Sequence, residues 1–301
     1  MRGAPRVSKR ESVPAHVTGR PPELEDWLNR RLYHPLSARL ANALAPTPVT
    51  PNAVSVAGGA LVVLAAGLYA SGLGIAAAAA GLGIHMAWHV LDGADGDLAR
   101  MTGRASAAGE IVDGASDYLS HLVLYIALAS VLADQIGGAG WLLMIAAGIA
   151  RAFQTTFYET QRRQYGWWVH GSAWLRSGEE EALGAARGPF GGLTRLYLAV
   201  SDWMARGGRA LDTRFERSDE AGREALRKEV RRQVLPVVRA AMPLSSNIRT
   251  IVIGIAMIAG LPILIVVFEL VVLSLVLAFL ADRAERAIAA VLAAQPPTNS
   301  R

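Results

Sequence analysis

The chain has no cysteine, and its only lysines are Lys9 and Lys228 among 301 residues. Without cysteine there is no disulfide, no thiolate metal site and no cysteine nucleophile. With so little lysine, arginine carries almost all of the positive charge behind a formal net charge of +5. Charged residues are scarce altogether: 18% here, against about 25% in a soluble domain. Hydrophobic residues make up 52%. This balance points to a membrane protein with charged flanks. A basic chain can bind nucleic acid, but no nucleic-acid motif is present. Arginine in cytoplasmic loops beside anionic lipid accounts for the charge better. Residues 1–22 lack the apolar core of a signal peptide and read as a disordered basic tail. A second disordered tail is expected over 291–301.

Residues 23–45 predict an amphipathic helix. Leu24, Leu28, Leu32, Leu36 and Leu40 recur every four residues beside Trp27, with Arg30, Arg31 and Arg39 on the other side. Pro35 is expected to kink or split it. Such a helix can lie on the cytoplasmic membrane face or pack on protein, and the membrane is favoured. Six apolar stretches follow, at about 52–71, 74–100, 109–133, 139–158, 246–260 and 262–282, long enough for about 30 Å of hydrocarbon. The turns SGLG (71–74), QIGGAG (135–140) and GLP (260–262) contain no Lys or Arg. The other connections hold nearly all of the basic charge, so both termini face the cytoplasm. The expected fold is all-α: an integral membrane bundle of six transmembrane helices. Residues 46–160 hold helices one to four, and residues 244–290 hold five and six.

Between them, 161–243 reads as a cytoplasmic or interfacial helical insertion. It has helix candidates at about 190–207 and 218–240, the latter capped by Ser218. Its aromatic residues Trp167, Trp168, Trp174, Tyr197 and Trp203 suit a headgroup zone. A small soluble subdomain with its own core fits equally well.

The chemistry concentrates between the second and third spans. Span two ends LDGADGDLAR (91–100), and span three begins GEIVDGASDYLSH (109–121). Asp92 and Asp95 are three apart, and Asp113 and Asp117 four apart, so each pair shares a helical face. The short loop between them lets the pairs converge. A charge in a spanning segment costs about 2.5–3.5 kcal/mol at mid-membrane, and four carboxylates repel one another. Hard divalent cations offset both, and an all-carboxylate set suits Mg²⁺ or Mn²⁺ rather than structural zinc. Two such metals about 4 Å apart are a common arrangement for in-line displacement at phosphorus. Helix capping would explain one or two of these aspartates, but not paired spacing on adjacent spans. Gly96 leaves room for a bulky group, and Arg100, one turn on, can grip a phosphate.

These residues read D-x-x-D-G-x-x-A-R-x₈-G-x₃-D-x₃-D, carried by Asp92, Asp95, Gly96, Ala99, Arg100, Gly109, Asp113 and Asp117. The pattern resembles the signature of the CDP-alcohol phosphotransferase family. The resemblance implies that Asp92, Asp95 and Asp113 hold metal, and that Asp117 holds metal and deprotonates the acceptor hydroxyl. Gly96 and Arg100 would contact the CDP moiety, with Ala99 and Gly109 in the same motif and Ser106 in the loop facing the donor. TPNAVS (50–55) resembles the family's start of the first span, which implies donor contacts from Asn52 and Ser55. Helix capping is the equally weighted reading of those two.

The implied reaction transfers a substituted phosphate from a CDP-alcohol to a hydroxyl, releasing CMP, with two divalent cations, Mg²⁺ or Mn²⁺. CDP-diacylglycerol and a small polar alcohol are the leading substrates, placing the enzyme in phospholipid synthesis in the cell or inner membrane. The active site would face the cytoplasm and the lipid bilayer, and the protein is expected to be a homodimer. A CDP-choline or CDP-ethanolamine type of donor with a lipid acceptor is the alternative. A divalent-cation or proton transporter is the reading from another class, but transporters place ionisable groups near the midplane.

Members using a phosphorylated acceptor often carry a basic residue after the last aspartate, where this chain has Tyr118. Arg151 and Arg249 are candidates for the acceptor pocket, and charge balance is the other reading of both. His85 and His89 read as satisfied polar residues between helices. Asp97 reads as solvated, and Glu269 has no evident partner beyond a dimer contact.

Overall fold

The computed structural model describes residues 21–172 and 191–294. Most of both expected tails, and Trp174, lie outside the described residues. Within them the fold is helical, with no strand.

Residues 27–44 form one helix, in which a π turn at Asn29–Tyr33 runs into α1 (His34–Leu44). Pro35 does not break it. The widened turn lets the His34 N–H reach back five residues to the Asn29 carbonyl, an adjustment that accommodates a proline. The inward face is Tyr33, Ser37 and Ala41, spaced by four and buried. The Ser37 hydroxyl donates to the Val90 carbonyl at 2.8 Å. Trp27, Leu32 and Leu36 point outward and are exposed.

Just upstream, the segment is clasped to the bundle. Glu23 pairs with His170 at 2.9 Å and takes the Arg239 side chain on its carbonyl, and Asp26 accepts from Asn247 at 2.6 Å. Burial pushes the Glu23 carboxyl up, but its backbone hydrogen bond and His170 outweigh this and hold it below the usual range.

Two helical hairpins follow: α2 (Pro51–Ala70) with α3 (Ile75–Met101), and α4 (Ala107–Ile136) with α5 (Ala139–His170). The N-cap of α2 is Thr50, whose hydroxyl accepts from Ala53 N–H at 3.2 Å. That leaves Asn52 and Ser55 free of capping duty. The α4–α5 turn is tight. Gly137 takes φ +70°, a conformation open to glycine. A Cβ on Gly140 would fall 2.6 Å from the Ala133 nitrogen. Chain reversal at so short a turn makes the hairpin helices antiparallel neighbours.

The insertion contributes α6 (Gly191–Met204), α7 (Arg209–Arg217), α8 (Glu220–Gln233) and α9 (Leu235–Ala240). The cap of α8 is Asp219 rather than Ser218, with its side chain accepting from Gly222 N–H at 2.8 Å. The bundle closes with α10 (Ser246–Ile258) and the long helix Ile263–Ala293, called α11, which contains a π segment at Val267–Leu273.

Among the described residues, four helices, α2, α3, α4 and α11, are long and apolar enough to cross a membrane. The other two expected spans are also helices, of different character. α10 has 13 residues, about 20 Å of rise. α5 runs unbroken across the expected boundary at 160, because nothing in that stretch stops a helix. Its second half is polar, with Arg162 on Glu159 at 2.7 Å.

Among the described residues, two large apolar cores are built beside a small cluster of Ala41, Val54, Ala94 and Leu98. One joins α2–α5 with α10 and α11 through Val62, Leu124, Leu128, Met144, Ile253 and Ile265. The other unites the polar half of α5, the insertion and the end of α11 through Tyr165, Trp168, Leu211, Phe215, Val230 and Ile288. Trp168, expected at the headgroups, is instead buried there and donates to Asp212 at 2.7 Å. Trp203 is exposed. Outside the first core, Leu142, Ile149 and Leu275 are more than half exposed, an apolar exterior suited to lipid.

Candidate active site

Carboxylates from α3 and α4 assemble the site. Both helices pack on α2, and their side chains reach across to each other: Asp92 meets Asp117, and Asp95 meets Asp113. Oxygens of Asp92, Asp113 and Asp117 lie within 4.8 Å of one another. The fourth aspartate, Asp95, is buried beside them. It accepts the Ser55 hydroxyl at 2.6 Å and the Gly96 N–H at 2.5 Å. Ser55 thus reaches the carboxylates from α2, while the Ser116 hydroxyl on α4 donates back to the Ser55 carbonyl at 3.1 Å. Close approach of α2 and α4 requires Gly59, where a Cβ would fall 2.5 Å from the Ser116 oxygen.

This donor set fits hard divalent cations. Four carboxyls in two touching pairs repel when ionised, and oxygen ligands without sulfur or imidazole match Mg²⁺ or Mn²⁺.

The predicted donor residues form the rim. Ser106 caps α4, its hydroxyl accepting from Gly109 N–H at 3.1 Å. A Cβ on Gly109 would stand 3.6 Å from the Asn52 side-chain oxygen. Asn52, Ser106 and Gly109 therefore share one edge, with Asn52 and Ser106 exposed. The Ala99 carbonyl accepts from Arg104 N–H at 2.8 Å and closes the loop. Arg100 folds back over Gly96, whose missing Cβ would meet its guanidinium at 3.4 Å. It ends on Asp97 at 2.5 Å. Asp97, expected to be solvated, is buried to 3% exposure.

Arg151 lies below the carboxylates. Its guanidinium stands 5.6 Å over the Tyr125 ring, and its charge reaches Asp117 and Tyr118. Tyr118 is exposed and contacts Thr156 of α5. Arg249 is turned into the protein interior. It is fully buried and pairs with Glu269 at 3.0 Å, with further bonds to Gln154, Thr155 and the Leu244 and Ser245 carbonyls. The charge-balance reading holds, and Glu269 has its partner. Such a pair, 20 residues apart, leaves no local signal in the sequence.

His85 and His89 are buried, and each lies near the Thr250 hydroxyl, at 3.4 and 2.9 Å. Two neighbours of Asp117 escaped the sequence reading. Trp88 donates its indole N–H to Asp117 Oδ1 at 3.1 Å. His121 Nδ1 lies 2.8 Å from the Asp117 carbonyl. The available signal was their spacing: each stands four residues from a motif aspartate, on its face of the helix.

No curated protein matches the chain. Residues 48–174, from just before α2 to just past α5, match the family model for CDP-alcohol phosphatidyltransferase.

Proposed function

We propose that the protein transfers the phosphatidyl group of CDP-diacylglycerol to the hydroxyl of a small polar alcohol. The family implies a CDP-alcohol donor and phosphatidyl transfer. The observation that carries the reading is the cross-helix pairing of Asp92 with Asp117 and Asp95 with Asp113 inside the matched domain. Asp92, Asp95, Asp113 and Asp117 would hold two divalent cations, Mg²⁺ or Mn²⁺. When bound, these neutralise the diphosphate and stabilise the departing CMP.

The chain's own residues do the rest. Asp117 accepts the proton of the acceptor hydroxyl. The freed oxygen bonds to the β-phosphorus, and the bond from that phosphorus to the bridging oxygen breaks. CMP leaves with the electron pair. Asn52, Ser106, Gly109, Gly96 and Arg100 line the edge that receives the CDP moiety. Ser55 orients Asp95. Tyr118, in place of a cation, favours an acceptor without phosphate, and Arg151 lies on the acceptor side.

The same reading places six helices across the bilayer, with the N-terminal helix on its cytoplasmic face. Its outward Trp27, Leu32 and Leu36 support that placement. The active site and both termini then face the cytoplasm, and a homodimer is the expected assembly.

The test is CMP release by purified protein with Mg²⁺ or Mn²⁺, a panel of CDP-linked donors and a panel of alcohols. Activity is expected with CDP-diacylglycerol. Asp117→Asn should lower the rate by about 10²–10⁴-fold, the usual contribution of a general base. No CMP from any donor would overturn the assignment, and release only from CDP-choline or CDP-ethanolamine would move the donor.

A further inference from the structure

We propose that Trp88 is the positioning residue for Asp117, holding its carboxylate in the orientation that metal binding and proton transfer require. The inference rests on the function proposed above. Trp88 stands one turn before Asp92, on the same face of α3, and is 3% exposed. Its N–H reaches from α3 to α4 and donates to Asp117 Oδ1 at 3.1 Å. An indole N–H only donates and keeps its proton. It therefore pins one carboxylate oxygen and leaves the other to the reaction.

The ring itself cannot turn away. His89 lies against it at 4.4 Å between centroids, and His121 meets it edge-on at 4.6 Å. On the α2 side stands Gly58, where a Cβ would come within 3.4 Å of the indole Cδ1. Three helices thus hold one donor in place. The Asp117 backbone is held as well, because its carbonyl receives the Ser120 hydroxyl at 3.1 Å and His121 Nδ1 at 2.8 Å. Partners of this kind orient a metal-binding carboxylate, and their loss typically costs about 10–100-fold in metal affinity or activity.

A packing role and a positioning role separate with two substitutions of opposite kind. Trp88→Phe keeps an aromatic ring and loses the donor. Trp88→His loses the larger ring but sets an N–H where the indole N–H was. The first readout is Mn²⁺ binding by the full-length protein in detergent, measured from free Mn²⁺ by electron paramagnetic resonance without substrate. The second is kcat and donor KM from CMP release. Positioning predicts that Trp88→Phe weakens Mn²⁺ and lowers kcat, each by about 10–100-fold, with donor KM within about twofold. Trp88→His should recover most of both, even if its melting temperature is the lower of the two.

Wild-type Mn²⁺ affinity and kcat in Trp88→Phe would overturn the proposal. So would a ranking of the variants that follows their melting temperatures. If Trp88→Phe does not fold, Trp88→His decides alone: Mn²⁺ affinity near wild type per folded molecule supports positioning, and its loss overturns it. Absence of CMP release in the wild-type protein would sink the enzymatic reading, while the Mn²⁺ comparison would still judge Trp88.

Discussion

Asp97 and Arg100 lie one turn apart, at the point where the CDP moiety is expected. The aspartate is buried, and the arginine side chain is 41% exposed. Arg100 therefore has a protein partner already, and on the proposed function binding the donor would exchange one anion for another. A half-exposed pair of this kind is worth about 0.2–1 kcal/mol after solvent screening. Asp97→Asn should consequently lower the donor KM by up to about fivefold and leave kcat nearly unchanged, as read from CMP release against donor concentration. An increase in KM would mean that Asp97 holds Arg100 ready for phosphate instead of competing for it. The motif letters give Arg100 a role but say nothing of its resting partner. Asp97 occupies a variable motif position, and its burial depends on what packs over that face of α3.

At the scale of elements, the buried pair of Arg249 and Glu269 ties the second half of the bundle together. The Tyr125 hydroxyl of α4 donates to Glu269, and Gln154 of α5 bonds to both partners. Glu269 sits in the π segment of α11. The Glu269 carbonyl accepts from Gln154 and from the Ser274 hydroxyl, so a helix with irregular bonding has its extra acceptor satisfied. Removing one partner of a buried pair leaves an uncompensated charge and typically costs about 3–5 kcal/mol. Glu269→Gln is expected to lose about that much stability, measured by denaturant unfolding in detergent, with a lowered melting temperature. The double substitution Arg249→Met with Glu269→Leu should recover most of the loss, because it leaves no buried charge.

Helix positions were legible from apolar runs and glycine turns, since each hairpin carries its own stop signal. Caps were less so. Ser218 and Asp219 are equally good capping residues, and the choice rests on which backbone N–H each can reach.

Over the whole molecule, charge asymmetry and shape give a topology that can be tested directly. The chain has no cysteine, so single introduced cysteines report cleanly. Cysteines at Leu73 and Gln135, in the turns without basic residues, should react with a membrane-impermeant maleimide in intact cells. Cysteines at Arg104 and Ser218 should react only after permeabilisation. Labelling of Arg104 in intact cells would place the carboxylates on the other side and refute a cytoplasmic site.

The sequence by itself determined the helical class, the apolar spans, the four aspartates and the helical face each pair shares. Those features follow from local periodicity and from chemistry carried at fixed spacing. Tertiary structure decided which aspartate meets which, that Ser55 rather than a cap role engages Asp95, and that Trp88 holds Asp117. It also set Arg249 in a buried ion pair with Glu269, and it joined the insertion with α5 and α11 in one core. The physical reason is common to all of these. Each depends on a contact between segments distant in the chain, and such contacts are set by how whole helices pack, which no local pattern of residues encodes.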